Sequence, residues 1–147
     1  MTSELLLPAL NAARKSRSEG GIPVGAALYL DGAIVATGHN RRQQLGSVIR
    51  HAEMDCLENA GRLPSGSYRR ATLVTTLSPC DMCAGAVLLY GIPHVVIGEN
   101  RSFRGSEDLL LERGVQIDVL DNDACAAMME DFMAEYPALW NEDLGRG

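Results

Sequence analysis

The chain has 147 residues, 46% hydrophobic and 22% charged, an ordinary globular composition with enough length for one domain and a real core. Its 13 basic and 19 acidic residues give a net charge of -6, which argues against stable binding of a long nucleic acid through a basic face. No apolar run reaches the length of a membrane span, so no membrane association through a spanning helix is expected.

The opening MTSELLLPAL carries an acidic Glu4 and only a brief leucine run. A secretory signal needs a basic start and a longer apolar stretch, so we expect no export signal and a cytoplasmic location. Residues 4 to 18 read as a helix, with a kink or a late start at Pro8. The turn SEGGIP leads into two apolar runs, GAALYL and AIVATG, around Asp31-Gly32, which is the pattern of a β-hairpin. HAEMDCLENAG then reads as a helix stopped by Gly61. The strand ATLVTT follows, then a helix over CDMCAGAVLLY ended by Gly91.

The strand HVVIG, the helix SEDLLLERG and the strand VQIDVL come next, and residues 122 to 135 are helical in pattern. YPALWNEDLGRG closes the chain as a short appendage. The later alternation of strand and helix implies right-handed crossovers and helices on both faces of a sheet. The expected fold class is α/β, a three-layer α/β/α sandwich with a mixed five-stranded sheet, as a single domain over residues 1–147.

Four cysteines, Cys56, Cys80, Cys83 and Cys125, in a reducing compartment do not read as a disulfide scaffold. In TTLSPCDMC, Cys80 and Cys83 fall at a helix start, where the helix dipole favours negative sulfur. A redox dithiol also follows a strand and opens a helix, so a third ligand has to decide. Of three histidines, His39 and His94 read as structural or surface residues, whereas His51 opens a helix with a carboxylate at Glu53. Positions i and i+2 point about 200° apart around a regular helix, yet in a first turn one can face a metal and the other a ligand beside it.

Together these residues make H-A-E…P-C-D-M-C, built from His51, Glu53, Pro79, Cys80 and Cys83. H-x-E with P-C-x-x-C is the known signature of zinc nucleobase deaminases. The chemistry fits the residues. Three protein ligands leave one position of a tetrahedral zinc open for water, which marks a catalytic site and not a structural one. Zinc brings the pKa of water toward about 7, and a spare carboxylate can carry a proton to a departing amine. Glu53 suits that role. Cys56 and Cys125, among apolar neighbours, read as buried structural thiols.

The stretches GGIPVGAAL, GHN, HAE, TTLSPCDMC, GAVLLYGIPHVVIGEN and WNEDLG resemble the fungal-type cytosine deaminases, small zinc enzymes of the cytidine-deaminase-like superfamily. The resemblance runs from about Gly20 to Gly145. It implies one zinc ion on His51, Cys80 and Cys83, with Glu53 as the proton shuttle. It implies further that Asn40 and backbone groups of Ala52 and Ser78 bind the pyrimidine edge. Val24, Leu77, Phe103 and Trp140 would line the ring's pocket, and Asp143 would lie near the amino group. Asn40 also reads as a turn residue after a strand, and Trp140 as a packing anchor. Two positions depart from the family pattern: Ala52 replaces the usual glycine, and Val24 a usual isoleucine.

The implied activity is hydrolytic deamination of a free base, cytosine to uracil and ammonia, by a homodimer whose only other partner is the small-molecule base. AGAVLLY and GIPHVV are candidates for the shared surface, and core packing explains them equally well. The alternatives are isocytosine, guanine or a creatinine-like ring as substrate, or a zinc-stabilised binding module without activity. Acting on tRNA adenosine is disfavoured by the net charge of -6.

Overall fold

In a computed structural model that describes residues 2–146, five strands form one mixed sheet in the order β2-β1-β3-β4-β5. A 3-10 turn at Thr2–Leu5 leads into α1 (Leu6–Ser18). Pro8 falls in its first turn, where the missing N–H has no intrahelical partner to lose. β1 (Gly25–Leu30) and β2 (Ala33–His39) form the expected antiparallel hairpin. Asp31 and Gly32 both take positive φ (51° and 82°), as the mirror-image turns that suit the strand twist require.

β1 also pairs antiparallel with β3 (Ala71–Leu77), and β3 pairs parallel with β4 (His94–Glu99), which pairs parallel with β5 (Gln116–Val119). The helices between them are α2 (Arg42–Leu45), α3 (Ala52–Ala60), α4 (Asp81–Tyr90) and α5 (Glu107–Glu112). α6 (Asp123–Glu135) and α7 (Pro137–Asp143) end the chain. Strand side chains divide between two cores, as a period of two demands. Leu73, Val95 and Ile97 pack with Cys56, Val87 and Leu110, whereas Val74 and Val96 pack with Leu6, Leu10 and Cys125. Helices therefore cover both faces, and the three-layer α/β/α expectation holds.

Two details differ from the sequence reading, and a third chooses between alternatives it left open. The C-terminal appendage is a helix, α7, because Pro137 stands at its first turn with a φ already suited to a helix start. The short helix α2 has no counterpart in that reading, since four residues carry no periodic signal. Of the two apolar runs with a claim to a shared surface, GIPHVV buries Ile92, Val95 and Val96 in the core, while Gly91 and Pro93 are exposed. The end of α4 is different: Leu89 is 74% exposed and Tyr90 47%.

Candidate active site

Two helix starts face each other at the end of the sheet. His51 is the N-cap of α3, in extended backbone, and Cys80 is the N-cap of α4, also extended. Cys83 lies one turn into α4 and is fully buried. His51 Nδ1 stands 3.4 Å from Cys80 Sγ and 3.9 Å from Cys83 Sγ. Among the described residues these three form the one cluster of metal-ligating side chains, with ligand atoms all within 4.8 Å of one another.

The donor set fits zinc. With metal–sulfur and metal–nitrogen bonds of about 2.3 and 2.0 Å, a tetrahedral ion needs ligand atoms roughly 3.6 Å apart. The two N···S distances bracket that value. Electrostatics agree. Hydrogen bonding from Cys83 takes the Cys80 thiol down to about 4 against the opposing effect of burial, with His51 helping. Cys83, which shares its proton with Cys80 and is buried, goes well up. Burial would lower His51, but Asp143 and Cys80 outweigh it and push the imidazole to about 10. Two thiols, one imidazole and two nearby carboxyls make a site that favours a cation.

Glu53 is the second residue of α3 and is buried beside the cluster. Burial pushes its carboxyl up to about 7, opposed by His51 and reinforced by Cys80. A group near that value can both take and give a proton at neutral pH. Ala52 and Glu53 line a cavity together with His51 and Cys80.

The remaining expected residues converge there. Val24, Leu77 and Ser78 come from strand ends, and Phe103 from the loop after β4. Trp140 and Asp143 come from α7 and close the far side. The Phe103 and Trp140 rings meet edge to face, 6.0 Å apart at 85°. Asn40 is buried and does two things at once. Its Oδ1 accepts from the Arg42 backbone N–H at 3.0 Å, the turn role, while its Nδ2 reaches Asp143 Oδ1 at 3.4 Å inside the cavity. Of the expected residues, only Cys83 does not line the cavity.

Sequence reasoning missed two contributors. Leu144 lines the cavity just after α7 and carried no signal beyond its place in WNEDLG. Asp55, buried in α3, accepts from Arg50 Nη2 at 2.5 Å and from the His39 backbone N–H at 3.1 Å. It ties the segment holding Asn40 and His51 to the helix holding Glu53. A buried acid five residues after an arginine at a helix start is the signal that could have found it. Cys56 and Cys125 are buried thiols raised to about 12 by burial, as expected of structural cysteines.

Residues 1–99 match the family described as the cytidine and deoxycytidylate deaminase zinc-binding region. The chain is similar to the cytosine deaminase of Candida albicans, 51% identical over 138 residues, covering 93% of this chain and 92% of that one. It is similar to the tRNA-specific adenosine deaminase of Streptococcus pyogenes serotype M18, 37% identical over 139 residues and covering 86% of each chain. A solved structure from work on A-to-I editing by tRNA:A34 deaminases superposes with a TM-score of 0.73 at 27% identity, covering 86% of this chain and 99% of that one.

Proposed function

The chain belongs to the zinc-binding cytidine and deoxycytidylate deaminase family and is a hydrolytic nucleobase deaminase; from that premise we propose free cytosine as its substrate, with uracil and ammonia as products. The observation that carries the choice of a free base is the closure of the small cavity by α7, which sets Trp140 and Asp143 opposite Phe103 and Asn40. The similarity to a cytosine deaminase over nearly the whole chain supports it.

Zinc held by His51, Cys80 and Cys83 would supply the Lewis acidity that makes water a nucleophile near neutral pH. Glu53 would accept a proton from the attacking water as the C–O bond forms at C4 of the ring and deliver it to N3. It then moves the hydroxyl proton to the exocyclic amine, and the C–N bond breaks with ammonia leaving. Asn40 offers its amide to the N1–O2 edge, and backbone groups of Ala52 and Ser78 hold the same ring. Asp143 receives the amino group while it keeps His51 oriented through Nε2. Val24, Leu77, Phe103 and Trp140 exclude water from the ring faces.

We read the protein as one deaminase domain over residues 1–147 that acts as a homodimer in the cytoplasm. The exposed Leu89 and Tyr90 at the end of α4 support a shared apolar surface. Two thiol ligands beside two further free thiols suit a reducing compartment. Among the described residues no helix is long and apolar enough to cross a membrane.

Ammonia release by purified, zinc-loaded protein tests the substrate, with cytosine set beside cytidine, isocytosine, guanine, creatinine and adenosine in tRNA. Cytosine should exceed cytidine by about four orders of magnitude, because a site that binds the N1–H leaves a polar group unpaired when ribose replaces it. Equal turnover of the two would remove the free-base reading. Light scattering that gives a monomer at assay concentration would remove the dimer.

A further inference from the structure

We infer that Glu107 is a positioning residue that sets the Phe103 wall of the cavity against the Ser78 edge. This rests on the free-base reading of the cavity. Glu107 opens α5 and is buried, with its two oxygens engaged by different segments. Ser78 Oγ donates to Oε2 at 2.5 Å, and Asn100 Nδ2 donates to Oε1 at 3.2 Å. Arg104 Nε, on a half-exposed side chain, stands 3.8 Å from Oε1. One carboxyl group therefore joins the loop before the Cys80 ligand to both sides of the loop that carries Phe103.

The polarity of the link is fixed. The Gly105 backbone N–H donates to Ser78 Oγ at 2.9 Å, so the single hydroxyl proton of Ser78 is free only for Glu107. A second set of contacts presses the same two loops together. The Ser106 N–H donates to the Pro79 carbonyl at 3.0 Å, and Ser106 Oγ donates to Asp81. A methyl group at Gly105 would collide with the Pro79 carbonyl oxygen and crowd the Phe103 ring, so backbone touches backbone there.

The near end of the loop is held in the same manner. Glu99 Oε2 accepts from the backbone N–H groups of Arg101 and Ser102 at 2.7 and 2.9 Å. Glu99 and Asn100 of the GEN motif thus have an account that catalysis did not provide. Phe103 is bracketed by two carboxyl groups and meets Trp140 across the cavity. A wall held this way keeps its place without substrate, and a misplacement of about 1 Å near a reacting ring costs up to about a hundredfold.

The test uses zinc-loaded full-length chain with Glu107→Ala and Glu107→Gln. Trp140 is the sole tryptophan, so its emission without substrate reports on the Phe103 contact. Glu107→Ala should raise KM for cytosine by about tenfold with a smaller change in kcat, the mark of lost uniform binding. It should also shift Trp140 emission and leave one zinc per chain. Glu107→Gln should restore KM to within about threefold, since its amide oxygen accepts from Ser78 and its nitrogen serves a turned Asn100. Unchanged KM and emission in Glu107→Ala, or a Gln variant as impaired as the Ala variant, would overturn the role. Should Glu107→Ala not fold, Asn100→Ala must move KM and emission the same way, and no movement overturns it equally. Emission needs no substrate, so a chain inactive on cytosine would defeat the substrate reading while the emission still judged Glu107.

Discussion

His51 Nε2 stands 3.1 Å from Asp143 Oδ1, so the metal-facing imidazole at the start of α3 is held by a carboxyl group from the last helix of the chain. With Nε2–H directed to Asp143, the proton that His51 gives up on binding a metal is the one on Nδ1, the atom that faces Cys80 and Cys83. In the proposed site, substrate pocket and ligand orientation share one residue. Asp143→Ala should therefore weaken zinc by about tenfold or more, within the range for partners that orient metal ligands. Competition against a chelator measures it, and unchanged affinity would restrict Asp143 to the substrate.

Zinc uptake should release protons. At neutral pH Cys80, lowered to about 4, is already a thiolate, while Cys83 holds its proton and His51, raised to about 10, is protonated. Loading at pH 7 must displace the Cys83 and His51 protons, about two per ion. Calorimetry in buffers of different ionisation enthalpy counts them. The sign follows: as pH falls through the Cys80 value of about 4, its proton competes as well, and the metal is lost. Binding that strengthens on acidification would contradict the ligand set.

Replacing Glu53 with Gln keeps size and a hydrogen bond but removes the proton carrier. Zinc should stay bound while turnover falls by about two to four orders of magnitude, as for a general acid–base group. Zinc analysis and single-turnover assays on the same sample separate the two effects. Turnover at the wild-type rate would place the shuttle on another residue.

Removing everything after Pro137 deletes Trp140, Asp143 and Leu144, three of the residues that line the cavity. Cytosine turnover should collapse, with the sheet and its helices still folded, because the strands pair without α7. Circular dichroism with an activity assay distinguishes an open site from an unfolded core. A truncated chain as active as the whole one would rule out closure by α7.

Gly38 on β2 packs under α3, where a methyl group would collide with the Cys56 backbone nitrogen. Gly38→Ala should cost about 1–3 kcal/mol, the usual range for overpacking a tight contact. Thermal unfolding reads the loss, and because α3 carries Glu53 and follows His51, zinc affinity should drop with it. A melting temperature equal to the wild type would mean that the helix can move aside.

The cluster of candidate metal ligands was legible in the sequence because its signals are local. His51 and Cys80 each sit at the N-cap of a helix, and Cys83 follows Cys80 by one turn, so spacing and helix starts alone bring donor atoms to helix ends. The hairpin was legible at Asp31-Gly32 for the same reason, since a tight turn is specified by the residues within it. What required the tertiary structure were contacts between distant segments. Asn40 meets Asp143 across 103 positions, Trp140 meets Phe103 edge to face, and Glu107 reaches back to Ser78 across 29. None of these pairs leaves a period or a spacing in the chain. Each exists because β3 and β4 lie parallel and end together, and because α7 folds back over that end. Local propensity can place a ligand on a helix, but only the packing of whole elements decides which side chain stands opposite it.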